Sequence, residues 1–373
     1  VDVDMSCWSI TIVVESQREG YSFPANHSVE GSGMCAMNRR DFLKNAAAGA
    51  AFSTFAIGTT GREVLGANDR INVAVAGING RGQSHMRAFS NMDNVRVTHL
   101  VDPDSRLFDS RKKKVEDWGG NSPKCVQDVR RVLDDDSVDV VSIATCNHWH
   151  SLMTVWACQA GKDVYVEKPL SHNVFEGRKV VEAARKYDRI VQHGTQRRQD
   201  PTIAKEIAAV QSGRYGELQV AKGYLCKPRW SIGFADQQSP PSGLDYNLWL
   251  GPAPWQEYHD NLVHYNWHWF WDTGNGEIGN HAPHRLDMCR WAMDEKLPEK
   301  VWSLGGRLGY YDQAETPNMM MAVYDYGDRL LVMEVRGLVG KDTSFGRKIT
   351  CEYYTDEGMI KEGKFYPDNG GDP

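Results

Sequence analysis

The residues of this chain whose types and spacing bear most directly on chemistry form the turn Gly77-Ile78-Asn79-Gly80-Arg81-Gly82, which follows a short apolar run. A loop that cradles a dinucleotide needs glycine at three places: for a tight turn, for close approach of backbone to pyrophosphate, and for packing of helix on strand. Gly77 and Gly82 stand at the first and third. Asn79 occupies the second with Gly80 beside it, and asparagine tolerates left-handed backbone better than most residues. Backbone N–H groups from Arg81 onward, at the start of a helical stretch, are suited to hold phosphate. Asp102 lies twenty residues past Gly82. A carboxylate there can accept from both adenosine ribose hydroxyls and repels a 2′-phosphate, which favours NAD, while the nearby Arg106 leaves NADP open.

The elements that must position these groups alternate. Apolar, β-branched runs at residues 71–76, 95–101, 138–144, 163–166 and 190–193 are separated by helical stretches near 81–90, 105–117, 149–160 and 174–187. This alternation predicts a doubly wound parallel sheet, a Rossmann-type α/β domain over residues 71–194. After Gly194 the pattern changes. A helix near 201–212, a strand from Leu218, a helix over 277–293 and strands near 299–309, 318–326, 329–336 and 348–354 follow with few helices between them. These predict an α+β domain over 195–373 with a mostly antiparallel open sheet.

Ligands of an open α/β sheet sit beyond the carboxyl ends of its strands. Two stretches fall there: Thr145-Cys146-Asn147-His148-Trp149-His150 and Glu167-Lys168-Pro169. Together with the glycine turn, Asp102, Leu170-Ser171 and Gly194-Thr195-Gln196-Arg197-Arg198, they make residues 71–336 resemble the Gfo/Idh/MocA oxidoreductases, most closely the exported bacterial members. That resemblance implies a nicotinamide enzyme acting on sugars, polyols or glycosides, with Lys168 beside the reacting carbon. It implies a cofactor shell of Gly77, Asn79, Gly80, Arg81, Gly82, Asp102, Thr145, His148, Glu167 and Lys168. His150 and Gln196 fall on the substrate side. The family's second motif is a helix bearing Asp, His and Asp, and the matching stretch here carries Asn280, His284 and Asp287, so asparagine replaces the first carboxylate.

Oxidising a secondary alcohol needs removal of the hydroxyl proton as hydride leaves. Imidazole suits that role near neutral pH, which makes His284 the expected base, with Lys168 polarising the oxygen. On one continuous helix, positions 280, 284 and 287 share a face, so Asn280 and His284 would reach one substrate. Asp287 can equally pair with a nearby Arg, and His148 and His150 can merely pack. Tyr246, Trp249, Trp255, Tyr258, Tyr265, Trp267, Trp269, Phe270 and Trp271 crowd one segment. Aromatic faces suit sugars, yet most of these should be packing.

Other classes fare less well. A net charge of −6 argues against a nucleic-acid surface. His148, His150, His264, His268, His281, His284 and Asp272 offer metal donors, but no pair has the HExxH pattern, so no metal is expected. A non-catalytic sugar-binding relative, or an enzyme that keeps its NAD and cleaves glycosides by transient oxidation, remain as alternatives. The six cysteines after the leader, none in CxxC spacing, are expected as free thiols.

Residues 1–70 read as a leader, expected to be disordered or removed. Arg39-Arg40, then Phe42-Leu43-Lys44, then the small apolar run from Asn45 to Phe52 resemble a twin-arginine signal over 38–67, implying export to the periplasm without lasting membrane insertion. Without a working leader the protein would be cytoplasmic. The start at Val1 reads as a partial or over-extended reading frame, and the polar stretch at Pro373 as a stop before the natural end. The antiparallel sheet of the family commonly joins subunits, so a homo-oligomer through the C-terminal sheet is expected.

Overall fold

The computed structural model describes residues 12–15, 70–294, 297–340 and 346–371. The segment read as an export signal lies outside the described residues. Within the stretch assigned to the leader, one strand is described, β1 (Ile12–Glu15).

The Rossmann half runs β2 (Ile71–Ala76), α1 (Gly82–Ser90), β3 (Val95–Val101), α2 (Phe108–Gly119), β4 (Lys124–Val126), α3 (Arg130–Leu133), β5 (Val140–Ile143), α4 (Asn147–Gln159), β6 (Asp163–Glu167), α5 (Val174–Lys186) and β7 (Val191–Gly194). Its six strands lie in the order β4-β3-β2-β5-β6-β7 and all pair in parallel. The centre is apolar on both faces because a buried parallel sheet has no solvent side. Successive residues of β2 divide between them: Val73 and Val75 pack with Met86 of α1 and Val115 of α2, whereas Ala74 and Ala76 pack with Trp149, Met153 and Ala157 of α4. The strand order reverses at β2/β5, and ligands of such sheets bind in the crevice there. β4 and α3 escaped the sequence reading because three or four residues, Lys124 and Arg130 among them, carry no periodicity.

The second half adds α6 (Pro201–Gln211), β8 (Leu218–Cys226), α7 (Tyr246–Leu250), α8 (Gly276–Asn280), α9 (Pro283–Ala292), β9 (Lys300–Gly306), β10 (Met319–Asp325), β11 (Leu330–Arg336), β12 (Lys348–Thr355), β13 (Gly358–Lys361) and β14 (Lys364–Pro367). Its sheet runs β1-β9-β10-β11-β8-β12-β13-β14. Every neighbouring pair is antiparallel except β8 and β11, which run parallel from Val220/Leu330 to Cys226/Arg336. The long connection between those two strands is what permits a parallel pairing. Ile203 and Ile207 of α6 and Met288, Cys289 and Ala292 of α9 cover one face of the sheet, over Ala221, Leu331 and Tyr353.

The single helix expected over 277–293 is two. α8 ends at Asn280, and α9 begins at Pro283, a residue that cannot donate to the preceding turn. Asn280 therefore does not share a helical face with His284 and Asp287, and the expected one-sided arrangement of the three is corrected here. Cys125, Cys146, Cys158, Cys226, Cys289 and Cys351 are free thiols. No helix among the described residues is long and apolar enough to cross a membrane.

Candidate active site

A cleft of about 590 Å³ opens at the β2/β5 reversal, between the Rossmann sheet and the α8–α9 segment. Its cofactor end is built by the glycine turn. Gly77 has φ +81°, and a Cβ there would lie 2.5 Å from the Ala144 carbonyl oxygen. Gly82 faces inward, and a Cβ on it would strike the Gly77 carbonyl, so this glycine packs the helix on the turn and does not line the cleft. Gly80 has open space around its missing Cβ. The turn is held from behind, where the Arg111 guanidinium donates to the carbonyl of Ile78 at 2.9 Å and to that of Asn79 at 3.3 Å.

Asp102 stands at the end of β3, buried, and takes the N–H groups of Ile78 and Asp104, each at 3.0 Å. Burial raises its proton affinity, and those two N–H groups oppose the rise. Next to it, Asp104 accepts from Arg106 at 2.7 and 2.6 Å and from His264 at 2.8 Å. Burial would raise the Asp104 carboxyl, but these donors pull it below the ordinary range. Arg106, the group that left NADP open, is thus engaged by a carboxylate. Asp102, which lines the cleft at the end of β3, suits ribose hydroxyls and repels a 2′-phosphate. The open glycine cradle and this acidic end fit NAD.

Across the crevice, Glu167 at the end of β6 gathers three donors on one oxygen: Arg81 at 2.8 Å, His85 at 2.9 Å and Gln196 at 2.7 Å. Burial alone would raise its pKa, yet His85 and Arg81 outweigh it and hold the carboxyl at about 2. Lys168, next in sequence, donates its ammonium to the Asn280 carbonyl, joining β6 to the end of α8. Burial lowers its proton affinity, and the charges of Glu167 and Glu277 oppose that. His284 faces the same cleft. Burial, with Lys168 and His281 nearby, pushes its pKa to about 4, so the ring is neutral at pH 7. Its Nδ1 is buried without a hydrogen-bond partner.

Of the expected site residues, Gly77, Asn79, Gly80, Arg81, Asp102, Thr145, His150, Glu167, Lys168, Gln196, Asn280 and His284 line this cleft. Three do not. Gly82 is a packing glycine, as above. His148, expected at the cofactor, is buried with its ring nitrogens 3.1 Å from the carbonyls of Thr273 and Trp249, where it ties α4 to α7 and to the loop before α8. Asp287, expected at the substrate, is held bidentately by Arg198 at 2.8–3.1 Å. His150 reaches the cleft wall but sits between the carbonyls of Pro169 (2.6 Å) and Thr145 (3.1 Å), so it braces the loop rather than offering a free nitrogen. The Asn280 side chain likewise turns away to Glu277 at 3.1 Å.

Several contributors have no local signal. His85 reaches Glu167 across 82 residues, and Glu277, almost fully buried, binds Arg229 across 48. His264 and His281 line the cleft, as do Trp249, Tyr265 and Trp267 from the aromatic-rich segment. Tyr246, Trp249, Tyr258, Trp269 and Phe270 of that segment form a core, as expected of most of it. Among the described residues, no three His, Cys, Asp or Glu come together as metal ligands.

The crevice, the glycine cradle and the acidic strand end define a dinucleotide-binding oxidoreductase of the Rossmann class. The chain belongs to the Gfo/Idh/MocA family: residues 71–195 match its "oxidoreductase family, NAD-binding Rossmann fold" model, and residues 213–333 match its "C-terminal alpha/beta domain" model. It is similar to glycosyl hydrolase family 109 protein 2 of Shewanella sp. (strain ANA-3), 28% identical over 231 residues, 55% of this chain and 50% of that one. The chain spans about half the length of the family 109 relatives it matches. It is also similar to myo-inositol 2-dehydrogenase of Thermotoga maritima, 24% identical over 73% of this chain and 75% of the relative. Levoglucosan dehydrogenase in complex with NADH and levoglucosan shares the fold at TM-score 0.60 and 20% identity, covering 79% of this chain and 73% of the other.

Proposed function

We propose that this protein is an NAD-dependent oxidoreductase acting on a CH–OH group of a sugar, polyol or glycoside. The observation that carries this reading is the placement of Lys168 and a neutral His284 on the same cleft as the glycine cradle and Asp102. When bound, NAD supplies the hydride acceptor. Gly77, Asn79, Gly80, Arg81, Asp102 and Thr145 are the residues that would hold it. His284 then takes the hydroxyl proton, and the Lys168 ammonium stabilises the negative charge that grows on oxygen. Glu167 orients Arg81 and Gln196 beside them. The likeness to glycosyl hydrolase family 109 proteins favours a second reading, in which oxidation is transient and a glycosidic bond is cleaved without net redox change.

One experiment separates them. Purified full-length chain is assayed for bound NAD and then given a panel of sugars and glycosides while the absorbance of reduced nicotinamide is followed. Lasting reduction by one sugar supports the dehydrogenase, and cleavage without lasting reduction supports the second reading. A chain that neither carries nor binds NAD would sink both.

Two further readings belong to this proposal. The Arg39-Arg40 segment supports twin-arginine export to the periplasm, tested by fusing residues 37–70 to a reporter active only after export. Leu304 and Met321, exposed and directly opposite one another on β9 and β10, support association of two copies through the C-terminal sheet. Met321→Lys should then lower the mass seen by sedimentation, and an unchanged mass would contradict it.

A further inference from the structure

Where the cleft is lined by Lys168, Arg197, His281 and His284, with Lys227 behind His281, cationic side chains outnumber free carboxylates among the described residues. Two neighbouring ion pairs are closed: Arg81 is bound to Glu167, and Arg229 to Glu277. Among the described residues, Lys168 donates to the Asn280 backbone carbonyl alone. Arg197 lines the cleft, exposed, with no side-chain acceptor among the described residues. Lys227, half-buried behind the wall, has one polar side-chain partner, the neutral ring of His281, whose Nδ1 lies 2.9 Å from its ammonium. The charges acting on Lys227 are those of Arg229, Arg347 and Lys168, against the single carboxylate of Glu277, which Arg229 already holds.

This arrangement fixes the proton on His281. Its Nδ1 accepts from Lys227, and burial beside that cation pushes the imidazole down to about 4, so the ring is neutral with its hydrogen on Nε2. Nε2–H has no acceptor among the described residues, and the ring lines the cleft. The substrate side therefore presents His281 Nε2–H, backed by a cation, together with Arg197. Both are donors, and neither can accept. A neutral hydroxyl gains little from unpaired positive charge, whereas an oxyanion gains charge-assisted hydrogen bonds. The groups suited to hold the cofactor's phosphates are the backbone N–H groups of the glycine turn, whereas His281 and Lys227 sit at the end of α8. The chain as a whole has net charge −6, so the surplus is local to the cleft.

We propose that the substrate carries an anionic substituent, a carboxylate, sulfate or phosphate ester on the sugar, which seats against His281 and Arg197 with Lys227 supplying charge from behind. This rests on the oxidoreductase reading of the same cleft and narrows its substrate class to acidic sugars. The test is titration of NAD-loaded full-length protein with matched pairs: methyl glucoside and methyl glucuronide, galactose and galacturonate, glucose and its 6-sulfate and 6-phosphate. Binding is read by calorimetry. At least one anionic member should bind about 10-fold or more tightly than its neutral twin, with the advantage shrinking as salt is raised. The uronate and ester arms tell which anion is preferred. Lys227→Gln and Arg197→Gln should each erase most of the preference while NAD affinity stays unchanged, and Lys227→Arg should retain it. A panel in which no anionic sugar outbinds its twin would overturn the proposal, as would a preference that survives both glutamine variants. Loss of NAD binding would fell the oxidoreductase reading instead, and the same pairs titrated into cofactor-free protein would still decide the anion preference.

Discussion

The two walls of the cleft are built on different terms. On the Rossmann wall nearly every polar group is closed within the protein: Glu167 by three side chains, Asp102 by two backbone N–H groups, Asp104 by Arg106 and His264. Around α8–α9, Arg197, the Nε2 of His281 and the Nδ1 of His284 have no acid or hydrogen-bond partner among the described residues, and Lys227 bonds only the His281 ring there. A wall for an invariant ligand is preorganised by its own contacts, and this is how cofactor shells keep their geometry. A wall that keeps unpaired groups is completed by what binds to it. The division of labour follows: strand ends and the glycine turn hold a fixed partner, and the second domain selects the substrate.

The substrate wall breaks first at His284. Replacing it with Ala should lower kcat by about 10²–10⁴-fold, the usual contribution of a positioned acid–base group. The pH profile sharpens the point. Protonation of His284 removes the base, and the ring titrates at about 4. The acid limb of kcat/KM should therefore fall as pH drops toward 4, and a limb centred near the ordinary histidine value would contradict the burial.

The cofactor wall breaks at Glu167. A carboxyl held at about 2 rather than its ordinary 4.5 contributes about 3 kcal/mol of stability. Because the folded value is depressed, this contribution is complete above pH 4.5 and is lost as pH falls toward 2. Glu167→Gln should lose stability in urea at neutral pH, and the gap from the parent protein should close through that window. A gap independent of pH would mean that Glu167 acts by packing alone.

Smaller effects separate residues that look alike in sequence. Gly77→Ala should cost about 1–3 kcal/mol and weaken NAD binding, because its backbone is left-handed and its Cβ would meet the Ala144 carbonyl. Gly80→Ala, with open space, should stay within about 0.5 kcal/mol. Asp287→Asn lies between these two. Breaking the partly buried pair with Arg198 should cost about 1 kcal/mol. KM should be unchanged, and a raised KM would return Asp287 to the substrate.

These contrasts mark what could be read without coordinates. Gly77, Gly82 and Asp102 were legible because turn chemistry and a buried strand leave short-range patterns, whereas Glu167 and Lys168 were singled out by their place at a strand end and by the family resemblance. The Rossmann order followed from the alternation. The substrate wall was read less well. Pro283 splits what periodicity joined, so Asn280 bonds Glu277 while Asp287 bonds Arg198. His148, spaced like a ligand, is consumed by the carbonyls of Thr273 and Trp249. His85, Glu277 and Lys227 owe their places to partners 82, 48 and 54 residues away, and such pairings leave no local trace. The parallel β8–β11 pair escaped for the same reason, since strand direction is set by the connection between the strands and not by either strand's own pattern.

The most direct test of the central claim is a single turnover. NAD-loaded protein is mixed rapidly with its best sugar from the panel, and reduced nicotinamide is followed in the parent protein and in Lys168→Met and His284→Asn. The account predicts that reduced cofactor forms in the parent, lasting or transient, and forms about 10²-fold or more slowly in both variants while NAD stays bound. Product without any reduced nicotinamide, or variants that reduce it at the parent rate, would contradict the assignment of this cleft.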